Sequence, residues 1–157
     1  MTTTPTPHPS TSLQSILMDI TLDQANKIIA FALQRATDEG YKPMAVVVLD
    51  ASGHTRSAQR QDGASMFRID IATGKAWASI AMGTASRVLT QRAKDLPAFF
   101  GALASTGNGK FIPQTGAVLV KDAQGQVIGA AGASGGTGDE DEAICIAGIE
   151  AAGLQSG

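Results

Sequence analysis

The chain reads as one α+β domain, and three observations carry that reading. Two strand-like segments are each folded back by the same kind of turn, Asp50-Ala51-Ser52-Gly53 and Asp122-Ala123-Gln124-Gly125. Each hairpin is followed by a small polar loop and then a helical stretch. The strands therefore come in antiparallel pairs with helices between them, unlike the strict strand–helix alternation of a wound parallel sheet. At 157 residues the chain suits a single domain with a sizeable core.

The elements follow in order. Residues 1–12 are rich in Thr, Pro and Ser and read as a flexible tail, with His8 held between Pro7 and Pro9 as a solvated tail residue. The single domain is placed at residues 13–157, with Leu13–Ile20 as a short leading helix. The spacing then predicts a helix over Thr21–Glu39. Thr21 and Gln24 form a capping-box pattern, Leu22, Ala25, Ile28, Ile29, Ala32, Leu33 and Ala36 make one apolar face, and Gly40 stops it. Met44–Leu49 reads as a buried strand and His54–Arg60 as its return. A helix is expected from Ala64 to Ala81, a further helical region over Thr84–Asp95, and a short helical turn over Ala98–Ala104 after Pro97. Ser105–Lys110 reads as a loop. Gly116–Lys121 and Gln126–Ala131 make the second hairpin, and a last helix runs from Asp139 to Ala152. The repeated D-A-x-G turn points to an antiparallel meander.

Composition excludes several classes of function. Twelve Lys and Arg against fourteen Asp and Glu give a net charge of −2, too balanced for broad, charge-driven nucleic-acid binding. Aromatic residues make up 4%, too few for base-stacking platforms. The longest apolar runs, such as Met44–Leu49, fall far short of a membrane span. One cysteine, Cys145, rules out an internal disulfide or a multi-cysteine metal site. The opening residues lack the basic start and apolar core of a secretory signal, so the expectation is a cytoplasmic protein.

Four places could carry chemistry. His54 follows the first turn, where an imidazole can face a cleft, titrate near neutrality or ligate a metal. The plainer reading, a half-exposed strand residue, is the stronger one on the residues alone. In Arg60-Gln61-Asp62-Gly63-Ala64, Arg60 can hold a carboxylate and Gly63 allows close backbone approach to an anion, while the plainer reading, which the spacing favours, is Asp62 as a helix cap beside a surface arginine. Lys75 would become a base or a Schiff-base amine if buried; the plainer reading is a solvated helix face. Gly129–Gly138 resembles a phosphate loop only superficially. Asp139, Glu140, Asp141 and Glu142 follow it, would repel a phosphate and point around the helix, with Thr137 and Glu140 as a second capping box. Cys145 reads as a small buried residue in that helix, with a pairing to His54 in space left open.

In family order, several of these segments resemble motifs of the GlcG/HbpS family, the heme-degrading domain proteins. Val46–His54 is similar to its VAVVDAGGH strand and turn, Arg60–Ala64 to RMDGA, Ile71–Ala76 to IAxxKA, and Val127–Gly136 to GAIGVSGG. Asp139–Ala143 is similar to the acidic opening of its last helix. Together they cover about residues 21–153. The resemblance implies a profilin-like fold, a five-stranded antiparallel sheet flanked by helices, in a homo-oligomer that is often an octamer. It also implies heme binding in some members, whereas many others sit in small-molecule catabolic operons. Two departures stand out. Gln114-Thr115-Gly116-Ala117-Val118 lacks the second glycine and the proline of the family's Gly-Gly-x-Pro motif. Near the start of the first helix, where some members carry heme-ligating histidines, this chain has Asp23, Gln24 and Asn26.

The leading expectation is a cytoplasmic, oligomeric heme- or tetrapyrrole-binding protein. His54 would be the ligand to heme iron, Arg60 and Lys75 would pair with propionates, and Asp62 and Gly63 would complete the binding segment. Chemistry at iron would belong to the cofactor. The alternative is a cofactor-free isomerase, hydratase or lyase acting on a small organic acid or carbonyl compound. In it Arg60 would hold the carboxylate and His54, Asp62 or Lys75 would move protons.

Overall fold

A computed structural model describes residues 19–157. The tail, His8 and all but the last two residues of the expected leading helix lie outside the described residues. Thr21 is the N-cap of helix α1 (Leu22–Asp38), and both halves of the capping box form: Gln24 N–H donates to Thr21 Oγ1 and Thr21 N–H donates to Gln24 Oε1. Ala25, Ile28, Ile29, Ala32 and Ala36 are buried along one face, as the periodicity predicts. Leu22 instead stands 55% exposed.

Strand β1 (Ala45–Asp50) is buried at every residue, whereas β2 (Thr55–Arg60) is largely exposed. The turn between them is built on Asp50. Its Oδ1 accepts the amides of Ser52 and His54, Gly53 N–H donates to Asp50 O, and Gly53 takes a left-handed φ of 84°. The same device joins β3 (Ala117–Lys121) to β4 (Val127–Ser134), where Asp122 Oδ1 accepts the amides of Gln124 and Gln126. An Asx side chain that satisfies the turn amides explains why both hairpins use Asp-Ala-x-Gly.

The strand order is β2-β1-β4-β3-β5, with every neighbouring pair antiparallel. This corrects the meander: the hairpins join through β1 and β4, so the first strand lies beside the last of the second hairpin. The physical reason lies in β2. Its sequence, Thr-Arg-Ser-Ala-Gln-Arg, belongs at a solvated edge, and a meander would bury it in the sheet centre. A short strand, β5 (Gln155–Ser156), closes the opposite edge against β3.

Helices cover both faces. Val46, Val48, Val118, Val120, Ala131 and Ala133 face α1 and α5 (Gly138–Ala151). Val47, Leu49, Ala117, Leu119 and Ala130 face α2 (Phe67–Met82). The alternation follows from the period of two along each strand. A register shift opposite Val120/Lys121 lets Ile128 join the first face out of phase. Helices α3 (Ser86–Asp95) and α4 (Pro97–Thr106) pack on the far side of α2 around Ala78, Leu89, Phe100 and Phe111. Helix α2 begins later than Ala64, because Gln61 N–H still donates to Met44 O and the chain turns at Gly63 before the helix can start. No described helix is long and apolar enough to cross a membrane.

Small residues set the spacing of the layers. A Cβ on Gly132 would lie 2.4 Å from Ala72 O, and one on Gly148 would lie 2.4 Å from Ile28 O. The Gly132→Ala substitution is therefore expected to lower stability by about 1–3 kcal/mol in urea unfolding, since a backbone atom cannot step aside. Gly101, inside α4 with open space around it, is the contrast: Gly101→Ala is expected to raise stability by about 0.5–1 kcal/mol in the same experiment.

Candidate functional site

The Asp50 turn brings His54 to one end of the sheet. Its amide is fixed by Asp50 Oδ1 at 3.0 Å, while the ring is 82% exposed and its Nδ1 lies 3.9 Å from the same carboxylate. Arg56 reaches Asp50 Oδ2 at 3.6 Å and Asp19 Oδ2 at 3.7 Å, which braces the turn from the side. The ring stands at a cleft of ≈ 510 Å³ between the turn, the outer stripe of α2 and the loop after α4. That stripe supplies Phe67, Asp70, Thr73, Gly74 and Trp77, and the loop supplies Gly109 and Lys110. Glycines hold Trp77 in place: a Cβ on Gly53 or on Gly107 would come within 3.3 Å of its ring. Phe111 meets the indole edge-on at a centroid distance of 6.5 Å. The cleft thus combines one exposed imidazole, two aromatic side chains, the Asp70 carboxylate and the Lys110 ammonium, in a volume typical of small-molecule sites.

Sequence reasoning found His54 but not its neighbours. Phe67, Asp70, Gly74 and Trp77 recur at helical spacing, which was a readable signal. Lys110 had none, because its place at the cleft depends on how the α4 loop folds back.

The other candidates are elsewhere. Arg60 lies at the far end of β2 from His54, and lines a cleft of ≈ 660 Å³ with Asp62 and Tyr41. Its Nη1 donates to Ala64 O at 2.5 Å. Asp62 does not cap α2, whose N-cap is Met66 without a side-chain bond. Gly63 takes a φ of 86° in the loop before the helix, so its amide is not at a helix start.

Lys75 is not on a solvated face. Its ammonium is buried, donates to Ala133 O at 3.1 Å and pairs with Asp141 Oδ2 at 3.0 Å, with side-chain exposures of 8% and 2%. It lines neither the His54 cleft nor the Arg60 cleft, so the structure does not bring His54, Arg60 and Lys75 into one site. Asp141 Oδ1 accepts Gly136 N–H at 3.0 Å. Burial pushes the Asp141 carboxyl above its ordinary value, and Lys75, the Gly136 amide and Arg68 pull it back.

The remaining acids of α5 also have local partners. Arg87 takes Asp139 and, at 3.1 Å, Glu142, while Glu140 closes the cap with Thr137. Their placement around the helix agrees with the sequence reading, but Asp141 points inward. Cys145 is fully buried on the α1/α5 side of the sheet, away from the α2 side that lines the His54 cleft, so the two do not pair. Burial pushes its thiol well above the ordinary range.

Two outcomes follow. Lys75→Met leaves a buried carboxylate without its paired cation and is expected to cost about 3–5 kcal/mol in urea unfolding at pH 7. An Asp141 carboxyl raised in the folded state stabilises fully below its unfolded value, and that stability is lost as pH rises through the folded value. Without Lys75's pull the carboxyl rises further, so the variant gains more than the parent from its protonation and its deficit is expected to shrink toward acid pH. In Lys75→Met/Asp141→Leu the loss should be smaller than the sum of the single losses; a strictly additive double variant would rule out the pairing. Cys145 is expected to resist a disulfide reagent in the native protein at pH 8 and to react only once denaturant unfolds it; rapid native labelling would contradict its burial.

Comparison with known proteins agrees with this architecture. A family model described as haem degrading protein HbpS-like matches residues 20–150. The corrinoid adenosyltransferase PduO of Citrobacter freundii is 27% identical over 139 residues, covering 88% of this chain but only 41% of that protein, so the chain spans less than half of that relative. A solved structure of a PduOC:heme complex superposes with a TM-score of 0.77 at 27% identity, covering 88% of this chain and 97% of the other. The structure of Klebsiella pneumoniae protein ORFY also gives 0.77, at 28% identity, with 85% and 90% covered. With the fold, the paired Asp turns and the match over residues 20–150 in agreement, the chain belongs to the HbpS-like family.

Proposed function

We propose that the protein binds heme or a related tetrapyrrole in the cleft at His54, as a homo-oligomer of the octameric kind, in the cytoplasm. The observation that carries the reading is the exposed His54 imidazole at a ≈ 510 Å³ cleft lined by Phe67 and Trp77. The donor set fits the group. An imidazole is a common ligand to heme iron, aromatic side chains supply apolar surface for the macrocycle, and Lys110 supplies a cation for a propionate. A likeness to a chain solved with heme supports the same class of ligand.

Bound heme would supply the redox chemistry of its iron. The chain's own part is positional. Asp50 fixes the backbone of His54 and so the place of the ring, and Gly53 and Gly107 hold Trp77 against the turn. Lys110 takes the propionate role that the sequence reading gave to Arg60 and Lys75, because it lines this cleft and they do not.

Hemin titration of the purified protein tests the reading. A saturable, stoichiometric Soret band is expected, shifted or weakened in His54→Ala and weakened by several-fold in affinity in Lys110→Gln, as loss of a charge-assisted contact implies. A band unchanged in His54→Ala would remove the histidine from the iron. Absence of any saturable band would overturn the heme reading.

A further inference from the structure

Two motifs unused by the His54 cleft, Arg60-Gln61-Asp62-Gly63 and Ser134-Gly135-Gly136, meet at the other end of the sheet. Ala45 pairs with Arg60 on one side and with Ser134 on the other. Arg60 and Ser134 are thus two strand spacings apart, about 10 Å between backbones. Pro43 is seated between the motifs: a Cβ on Gly63 would lie 3.2 Å from its Cγ, and one on Gly135 would lie 2.2 Å from its carbonyl oxygen. Arg68 Nη1 reaches Ser134 Oγ at 3.2 Å, which brings a second guanidinium to the same row.

Two clefts open here and share Gly40 and Tyr41. The ≈ 660 Å³ cleft holds Arg60 and Asp62; its ≈ 380 Å³ neighbour holds Lys42, Arg68 and Glu140. Among the described residues none of the three cations forms a direct ion pair, although the Arg68 charge also acts on Asp141. Of the two carboxylates, Glu140 is engaged by the Thr137 amide and Asp62 is exposed. The backbone offers little, since the Gly136 amide is taken by Asp141 and the Thr137 amide by Glu140. Recognition of an anion at this end falls to side chains, and cations stand on both sides of Tyr41.

We propose that this double cleft is a second ligand site, for a short-chain dicarboxylate held by Arg60 at one end and by Arg68 with Lys42 at the other. Arg60 spends Nη1 on Ala64 O and keeps the other donors of its fork. A guanidinium at each end suits a molecule with a carboxylate at each end, because each pair can be bidentate. A monocarboxylate would engage one arm only. Arg60 stands about 20 Å from His54 along β2 at the rise of an extended strand, while on α2 Phe67 of the His54 cleft adjoins Arg68 of this one.

Calorimetric titration of the intact protein with succinate and glutarate tests this, with acetate and chloride as controls at matched ionic strength. Saturable binding of at least one dicarboxylate is expected, about tenfold or more tighter than acetate. Arg60→Gln and Arg68→Gln are each expected to weaken it about tenfold, and His54→Ala to leave it unchanged. Arg68→Gln also removes the bond to Ser134, so Lys42→Gln at an exposed position is the second variant for that arm, with a several-fold loss expected. No saturable heat with either dicarboxylate, an equal response to acetate and chloride, or binding that ignores either arm would overturn the proposal. Heme binding is read separately from the Soret band, so either site can fail without the other.

Discussion

The buried pair of Lys75 and Asp141 ties together the helix layers on opposite faces of the sheet. Lys75 comes from the helix on one face of the sheet and Asp141 from the first turn of the helix on the other. They meet past the end of β4, where Gly116 leaves the room: a Cβ there would stand 2.7 Å from the Lys75 ammonium. A buried ion pair adds little net stability compared with apolar residues of the same shape, because both ions lose their water. Its effect here is on geometry. Lys75 fixes the Ala133 carbonyl and Asp141 fixes the Gly136 amide, so the Ser134-Gly135-Gly136 segment is held from both sides. The seat of Pro43 and the reach of Arg68 to Ser134 depend on that segment staying where it is.

Small residues do the corresponding work across the layers. With few aromatic side chains to fill space, the helices come close enough for backbone to meet backbone at Gly132 and Gly148. The aromatics that exist are then concentrated on one side. Trp77, Phe100 and Phe111 gather where α2, α3 and α4 meet, and the Trp77 edge of that cluster borders the His54 cleft. The scarcity of aromatics in the composition is offset by where they are placed.

What could be read in the sequence was local. The two Asp turns, both capping boxes and the buried face of α1 depend on residues within a few positions of one another, and short spacing carries them. The order of the strands depends on pairing across the chain, and the repeated turn pointed to the wrong neighbour. The polarity of β2 was the signal that it is an edge strand, and it was readable. Lys75 is different. Its partner is sixty-six residues away, so its burial could not be inferred from its own helix, and the residues around it looked equally suited to a solvated face. The His54 cleft falls between these cases: its histidine and its helical stripe were legible, while Lys110 required the fold.

Helix α2 shows how the two ends of the molecule stay separate. Positions seven apart on a helix lie nearly above one another, so Arg68 and Lys75 share a stripe and both reach toward the end of β4. Phe67, Gly74 and Trp77 form a neighbouring stripe toward the His54 turn, and Ala72 and Ala76 face the sheet. One helix therefore feeds an aromatic cleft, a charged corner and the core from three sides. A ligand at His54 would meet side chains that make no contact with the Arg60 arm, because β2 separates His54 from Arg60 by its full length. Any influence between the two ends has to pass through α2 or along β2, β1 and β4, and β1 and nearly all of β4 are buried. Packing of that kind resists small displacements, so the arrangement favours two sites that bind independently over one that signals to the other.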